Sequence, residues 1–144
     1  MGSEPARTGE SKAPPGTALP GRLELRLPAT GDFLSQLRET VRRFAIMAAV
    51  PNTDDVALAV TEAATNVIVH AYDDRDQGDV HIVARDEPGH LVLLVRDYGR
   101  GLQPRVDSPG LGIGLPIIAT LTSMLSIEQP PDGGTLVRMH FEKP

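Results

Sequence analysis

Two pairs of short apolar runs, each pair joined by a turn rich in proline and glycine, limit the possible fold more than any other feature of this sequence. The first pair, residues 80–85 and 91–97, flanks the turn DEPGH. The second pair, residues 125–128 and 135–141, flanks QPPDGG. Runs of this length around such turns predict β-hairpins. Because the two strands of a hairpin run antiparallel, two hairpins exclude an all-parallel sheet.

The rest of the patterned sequence has the periodicity of one strand and three helices. Residues 22–28, RLELRLP, alternate charged residues with leucine, which predicts a half-buried strand. Apolar residues recur at intervals of three and four over residues 32–50, about 54–72 and 115 to about 124, which predicts helices. The order strand, helix, helix, hairpin, loop, helix, hairpin predicts an α/β fold. We expect a two-layer sandwich of a mixed, largely antiparallel sheet covered on one face by helices.

Length and composition predict one domain behind a disordered tail. A chain of 144 residues is long enough for one ordinary domain with its own core, which we place at residues 22–144. Residues 1–21 combine proline, glycine, serine and charge with few bulky apolar side chains, so we expect them to be disordered. The chain has no cysteine, which excludes disulfides and thiolate metal sites.

Charge and hydropathy bear on the partners and the location. The formal net charge of -5 argues against direct nucleic-acid binding through phosphate contacts, and it favours a protein or a small ligand as the partner. The sequence has no apolar run of about 20 residues, the length that spans a bilayer, and no apolar signal-peptide core at its start. We therefore expect no membrane association and a cytoplasmic location.

A polar pair interrupts the apolar second helix, in the segment EAATNVIVHAY at residues 62–72. Glu62 and Asn66 are one helical turn apart and lie just beyond the apolar arc that should face the sheet. A carboxylate on a partly covered surface costs on the order of several kcal/mol unless it has a partner. One interpretation is that Asn66 ligates a hard cation through its amide oxygen while Glu62 orients or deprotonates a hydroxyl or water. The other is a pair capped by local hydrogen bonds at the helix rim.

Glycines cluster at two places where the backbone could approach a ligand. In RDYGRGL, a strand end delivers Asp97 beside Gly99 and Gly101, and its carboxylate could accept the exocyclic amine hydrogen of a purine. In PGLGIGLPII, residues 109–118, three glycines stand before a helix whose free amides and dipole suit phosphate oxygens. Each segment could instead serve only as a turn. The P-loop pattern is absent, and the glycine spacing does not fit a dinucleotide fingerprint.

Taken in order, four motifs resemble those of the GHKL ATPase superfamily, whose fold is the Bergerat sandwich. They are ExxxN on a helix, DxGxG after a strand, GxGxG before a helix, and a Gly–Thr pair opening the final strand. The resemblance covers residues 22–141. With its EAxTNxxxHAY and GxGLP segments, the chain is most similar to the stand-alone serine/threonine kinases that act as anti-sigma factors in bacteria.

The resemblance implies a site for ATP and Mg²⁺. Asn66 would coordinate the magnesium that bridges the phosphates, and Glu62 would be the catalytic base for a serine hydroxyl or for water. Asp97 would hydrogen-bond the adenine amine, and Thr135 would support Asp97 or adenine through its hydroxyl. Glycine segments would approach the ring and the phosphates: Gly99 and Gly101 at the adenine, and Gly110, Leu111, Gly112, Ile113 and Gly114 as the phosphate lid and helix entry.

The resemblance also implies a function. It indicates a cytoplasmic, ATP-dependent protein serine/threonine kinase that sequesters a sigma factor and phosphorylates an anti-sigma factor antagonist in a bacterial stress response. It further implies a homodimer. Two alternatives stay open. One is a nucleotide-gated regulator that sequesters a partner without kinase turnover, and the other is an α/β interaction domain whose glycines serve turns alone.

Overall fold

Six strands form one sheet in the part of the chain that the computed structural model describes, residues 16–72, 78–99 and 114–144. The strands are β1 (Gly16–Leu19), β2 (Arg22–Pro28), β3 (Asp79–Glu87), β4 (His90–Asp97), β5 (Met124–Glu128) and β6 (Thr135–Glu142). Their order across the sheet is β1-β2-β3-β4-β6-β5, and each neighbouring pair is antiparallel.

Three helices in the described residues cover one face of this sheet. They are α1 (Leu34–Met47), α2 (Thr53–Asn66) and α3 (Gly114–Leu121). The central helix α2 packs against both others. Alternate residues of β2 and β6 are buried beneath the helices, as Leu23, Leu25 and Leu27 of β2 illustrate. The predicted two-layer α/β sandwich is therefore confirmed, and the pairings of its described strands are antiparallel throughout.

The first strand lies within the range predicted to be a disordered tail. β1 pairs with β2 through a turn at Pro20 and Gly21, so part of residues 1–21 is ordered. Gly21 has a φ of 77°, a left-handed conformation that glycine adopts without steric cost. The composition of residues 1–21 disfavours a packed core, but a hairpin with β2 pairs backbone groups without needing bulky apolar side chains. Residues 1–15 lie outside the described residues.

α1 is shorter than the predicted helix at residues 32–50 and ends in a Schellman motif. The Ala49 N–H donates to the Ile46 C=O at 3.0 Å, and the Val50 N–H donates to the Ala45 C=O at 3.1 Å. These two bonds close a helix when the residue after its C-cap is left-handed. Ala49 has the required φ of 62°. An alanine thus occupies a conformation that favours glycine.

The second helix changes type near its end instead of continuing to residue 72. α2 stops at Asn66, and Val67–Ala71 form one π-helical turn, called the π turn below. Its residues 67–69 are β-branched, and such side chains crowd the preceding turn of an α-helix. Single π-helical turns are frequent at functional sites.

α3 is also shorter than the helix predicted from residue 115 to about residue 124. It ends at Leu121, and Met124 already belongs to the edge strand β5. Between them, the Ser123 N–H donates to the C=O of His140 in β6 at 2.8 Å, which joins the chain to the sheet. Within the described ranges, no helix has the length and apolar character needed to cross a membrane.

Candidate functional site

Three of the predicted site residues stand at the ends of their elements, and these ends lie toward one corner of the domain, where the π turn contacts the chain after β4. Asn66 is the last residue of α2, Asp97 the last of β4 and Thr135 the first of β6. Asp97 and Thr135 are partners in the register of the two strands. The chain beyond β4 touches the helix layer, since a Cβ at Gly99 would lie 2.1 Å from the carbonyl oxygen of Ala71. The π turn and the ends of both strands are therefore neighbours.

Asp97 and Thr135 are buried next to each other on the helix-facing side of the sheet. Each is 1% exposed. The Gly99 N–H donates to Asp97 Oδ1 at 3.0 Å. A buried carboxylate is costly unless donors surround it, and in its ionised form it only accepts hydrogen bonds. This side of the corner therefore suits a ligand that presents N–H donors.

The helix side of the corner offers a buried carboxamide and a half-buried carboxylate. Asn66 is 6% exposed, and its Nδ2 has no hydrogen-bond acceptor among the described residues. Glu62, one turn earlier on α2, is half-buried. Leaving a buried polar group without a partner costs about 1–3 kcal/mol, so a polar ligand that reaches Asn66 would recover that free energy.

These residues fit a magnesium ion together with the phosphates of a nucleotide. Magnesium prefers hard oxygen ligands, and in phosphate sites it takes one or two from the protein and the others from phosphate and water. The amide oxygen of Asn66 is such a ligand. Within residues 16–72, 78–99 and 114–144, no group of three or more His, Asp or Glu side chains could hold a metal.

Tyr72, for which the sequence motifs predict no role, connects three segments at this corner. Its hydroxyl accepts the N–H of Tyr98 at 2.9 Å and donates to the C=O of Asp79 at 2.8 Å. Burial raises the pKa of the Tyr72 phenol. The hydrogen bond from the Tyr98 N–H opposes this rise in the pKa, and the negative charges of Asp97 and Asp79 add to it. The phenol therefore stays neutral near neutral pH and keeps both hydrogen-bonding roles.

Gly134 and Arg96 hold the backbone of Asp97 from the other side. Gly134 has a φ of +79°, and a Cβ there would lie 2.0 Å from the carbonyl oxygen of Asp97. Arg96 Nε donates to that oxygen at 3.1 Å, and its Nη2 donates to Asp132 at 3.0 Å and to the Gly133 C=O at 3.1 Å. In the sequence, the Gly–Gly pair of QPPDGG predicts a hairpin turn. It does not by itself predict that Gly134 contacts Asp97.

The side chain of Tyr98 lies on the open face of the sheet, opposite the helices. The guanidinium groups of Arg26 and Arg96 lie 5.3 Å and 4.5 Å from the centre of its ring. Its hydroxyl lies 3.2 Å from Nδ1 of His81, whose Nε2 lies 2.6 Å from a carboxylate oxygen of Glu24. Tyr98 thus contributes its backbone to the corner and its side chain to the open face.

Several predicted site residues lie outside the described residues: Gly101, Gly110, Leu111, Gly112 and Ile113. Their roles at the adenine and in the phosphate lid stay predictions. Gly114 is the first residue of α3, the position expected for the residue that enters the helix.

Comparison with known proteins places the chain in a family. A family model described as a histidine kinase-like ATPase domain matches residues 27–141. An anti-sigma F factor of Caldanaerobacter subterraneus is 32% identical over 118 residues, which cover 74% of this chain and 76% of that protein. An anti-sigma F factor of Clostridium acetobutylicum is 30% identical over 134 residues, which cover 84% of this chain and 93% of that protein.

A solved structure is also similar, the ATP-binding domain of PrrB from Mycobacterium tuberculosis. It is 19% identical, with a TM-score of 0.47, over 83% of this chain and 98% of that one. The family assignment rests on the sequence matches, because the family model spans most of the chain and the relatives align over most of their own length. The chain belongs to the GHKL superfamily of histidine kinase-like ATPase domains and, within it, to the family of the anti-sigma F factors.

Proposed function

We propose that this protein is an ATP-dependent protein serine/threonine kinase that sequesters a sigma factor and phosphorylates an anti-sigma factor antagonist. In this proposal it acts in the cytoplasm as a homodimer, in the control of transcription under stress. The observation that supports the proposal is that the chain after Asp97, a buried carboxylate, contacts the π turn, which directly follows Asn66, a buried carboxamide. The name of the relatives supports the sigma factor as a partner.

Asp97 is the residue that would give the site its specificity for adenine. Its carboxylate can only accept hydrogen bonds when ionised, and the amine of adenine is a donor, whereas guanine presents a carbonyl oxygen at the same ring position. Thr135 lies beside it and would support either the carboxylate or the base. A base without the amine would lose this hydrogen bond to a charged group, and binding sites discriminate strongly on such bonds.

Asn66 is the residue that would meet the phosphate end. Its amide oxygen would take one position on a magnesium ion, and the ion would neutralise the charge of the triphosphate. The lid residues Gly110, Leu111, Gly112 and Ile113 are proposed to cover the phosphates, and Gly114 would bring them to the free amides at the start of α3.

Glu62 is the proposed base for phosphoryl transfer. Its carboxylate would accept the proton of the substrate serine hydroxyl while the serine oxygen bonds to the γ-phosphorus. The bond from that phosphorus to the bridging oxygen breaks, and ADP leaves with that oxygen. The half-buried position of Glu62, one turn from Asn66, supports this role, because a general base must lie close to the group that reacts, and Asn66 is the residue proposed for the phosphate end.

The test is isolation of the protein's partners with and without Mg-ATP, followed by phosphosite mapping on the proteins that co-purify. We expect a sigma factor and a second small protein that gains phosphoserine or phosphothreonine. Glu62→Gln should lower the transfer rate about 10²- to 10⁴-fold, the usual contribution of a general base, while ATP affinity changes little. Glu142→Gln is the matched control, since Glu142 is exposed at the end of β6 and should transfer at the wild-type rate.

Two outcomes would change the conclusion. If the protein binds ATP and a partner but no acceptor is phosphorylated across a panel of antagonists, it is a nucleotide-gated regulator without kinase turnover. If it binds neither ATP nor ADP at millimolar nucleotide, the proposed function is wrong.

A further inference from the structure

We propose that Tyr72 is a positioning residue for recognition of the base: it fixes the backbone of Tyr98 and Gly99 so that the Asp97 carboxylate meets the exocyclic amine of adenine. The inference rests on the proposed function, since it concerns how the same site selects its nucleotide. In this proposal Tyr72 acts through the backbone and does not itself contact the nucleotide.

The hydroxyl of Tyr72 is a bridge between two strand ends. It accepts the N–H of Tyr98, directly after β4, and donates to the C=O of Asp79, the first residue of β3. A phenol can fill both roles at once, and phenylalanine can fill neither. The replacement would remove both hydrogen bonds, and the one to the Asp79 C=O lies in a partly buried place, where its loss is costly.

The ring of Tyr72 lies against the backbone of two glycines. A Cβ at Gly78 would lie 2.1 Å from the ring atom Cε1, and a Cβ at Gly99 would lie 2.8 Å from Cδ1. Neither glycine has a positive φ in this structure, so close approach and not backbone conformation explains the absence of a side chain at both positions. The ring therefore limits where the chain after β4 can run.

The effect of Tyr72 reaches Asp97 through one more hydrogen bond. Tyr72 holds the N–H of Tyr98, and the N–H of the next residue, Gly99, donates to Asp97 Oδ1 at 3.0 Å. Movement of this backbone would therefore turn the carboxylate. Gly134 and Arg96 contact the carbonyl oxygen of Asp97. The backbone and the side chain of Asp97 are therefore both held in place.

A purely structural role for Tyr72 makes a different prediction. If the side chain only stabilised the fold, its loss would lower the melting temperature and weaken every nucleotide by a similar factor. A positioning role affects the base contact selectively, because Asn66, the residue proposed for the phosphate end, belongs to α2 and not to the chain after β4 that Tyr72 holds. The ratio of affinities for two bases therefore separates the two roles.

The experiment compares Tyr72→Phe with Tyr98→Phe, the only other tyrosine of the chain. Calorimetry measures Kd for Mg-ATP and for the Mg complex of purine riboside triphosphate, which lacks the exocyclic amine. In Tyr72→Phe, ATP affinity should fall about tenfold, an effect of the size of one hydrogen bond to a charged group, and affinity for the amine-free analogue by less than about twofold. Tyr98→Phe should keep the wild-type ratio of affinities, because its hydroxyl lies near His81 on the open face.

A measurement on the wild-type protein keeps the test valid if Tyr72→Phe does not fold. Coupling between two contacts is reciprocal, so a base amine held by Asp97 must in turn tighten the bond between Tyr72 and the Tyr98 N–H. At saturation, the Tyr98 amide should exchange hydrogen more slowly with ATP than with purine riboside triphosphate. Equal exchange with both ligands, or an unchanged affinity ratio in Tyr72→Phe, overturns the positioning role while leaving the proposed function intact. Wild-type protein that binds neither nucleotide overturns the proposed function.

Discussion

The phenol of Tyr72 is a partly buried titrating group at the site, and its pKa is raised. Burial is the main cause of its raised pKa, and the carboxylates of Asp97 and Asp79 add to the effect against the pull of the Tyr98 N–H. Because the folded pKa lies above the ordinary value of 10.0, the stability that this group contributes is fully present below pH 10.0. It is lost as the pH rises through the folded pKa.

The first prediction uses Tyr98→Phe, which leaves Tyr72 as the sole tyrosine of the chain. Absorbance titration of the folded variant should give a midpoint above 10.0, because burial disfavours the phenolate. The same variant unfolded in guanidinium chloride should titrate at the ordinary value. A folded midpoint at or below that of the unfolded protein would contradict the buried position of this phenol.

The second prediction compares two adjacent glycines in the β5–β6 turn. Gly133 and Gly134 both have positive φ, but an added Cβ meets nothing within 4 Å at Gly133 and lies 2.0 Å from the Asp97 carbonyl oxygen at Gly134. Gly133→Ala should cost about 1–2 kcal/mol of unfolding free energy, the usual cost of a left-handed alanine. Gly134→Ala should cost more and should also weaken ATP binding, since Asp97 must move. Denaturant titration and calorimetry on both variants measure the difference, and equal ATP affinities would contradict it.

At the scale of elements, the end of α1 shows a helix that closes with an unfavourable residue. The Schellman bonds from Ala49 and Val50 are present, although an alanine stands where the left-handed conformation favours glycine. The motif is therefore formed at a cost that tertiary packing offsets, since Ala48 and Val50 on either side are buried.

The third prediction is that Ala49→Gly stabilises the protein. Relief of the left-handed strain exceeds the extra chain entropy of glycine, so the free energy of unfolding should rise by about 0.5–1 kcal/mol. Ala48→Gly is the control, because Ala48 has a φ of -82° and gains no such relief. Urea denaturation of both variants decides the sign, and a destabilised Ala49→Gly would mean that the exposed methyl group of Ala49 makes a contact that outweighs its strain.

Periodicity predicted most elements because burial follows the same periods. The leucines of β2 face the core at every second residue, and Leu37, Val41 and Ala45 of α1 face it at every fourth. The π turn escaped prediction, since its apolar residues fit either helix type. Sheet order also escaped, because a hairpin of β5 and β6 can place either strand beside β4.

The residues of the candidate site also divide into those that the sequence predicted and those that it did not. Asp97 and Thr135 could be chosen from motifs, because each ends or begins a strand within a recognisable pattern. Tyr72 could not, since its role depends on where residues 79 and 98 lie in space, and no local pattern carries that distance. The contact of Gly134 with Asp97 exists only because β6 is the neighbour of β4.

At the scale of the molecule, the corner joins the two layers of the sandwich. Asn66 comes from the helix layer, whereas Asp97 and Thr135 come from the sheet. A nucleotide held by all three would link the layers, and any ligand that binds only the folded state raises its stability by mass action.

The fourth prediction is that Mg-ATP stabilises the folded protein through this link. At a concentration 100 times its Kd, the nucleotide should add about 2.7 kcal/mol to the free energy of unfolding and raise Tm. Asp97→Asn should lose most of this shift at the same ATP concentration, because one carboxylate oxygen is replaced by a donor. Asp54→Asn, at an exposed position in the first turn of α2, should keep it. Thermal unfolding with and without Mg-ATP measures the shift, and equal shifts in both variants would contradict the role of Asp97.

The π turn has a consequence for how the length of this stretch can change in evolution. Its bonds run from residue i to i+5, so it accommodates one residue more than an α-helical turn. Deleting one residue of it, such as Val69, whose side chain is 58% exposed, would return this stretch to α-helical geometry and leave Tyr72 facing Asp79 and Tyr98. Inserting a further residue would instead rotate everything after it by about 100° about the helix axis and turn Tyr72 away from both. This stretch can therefore lose a residue more easily than it can gain one.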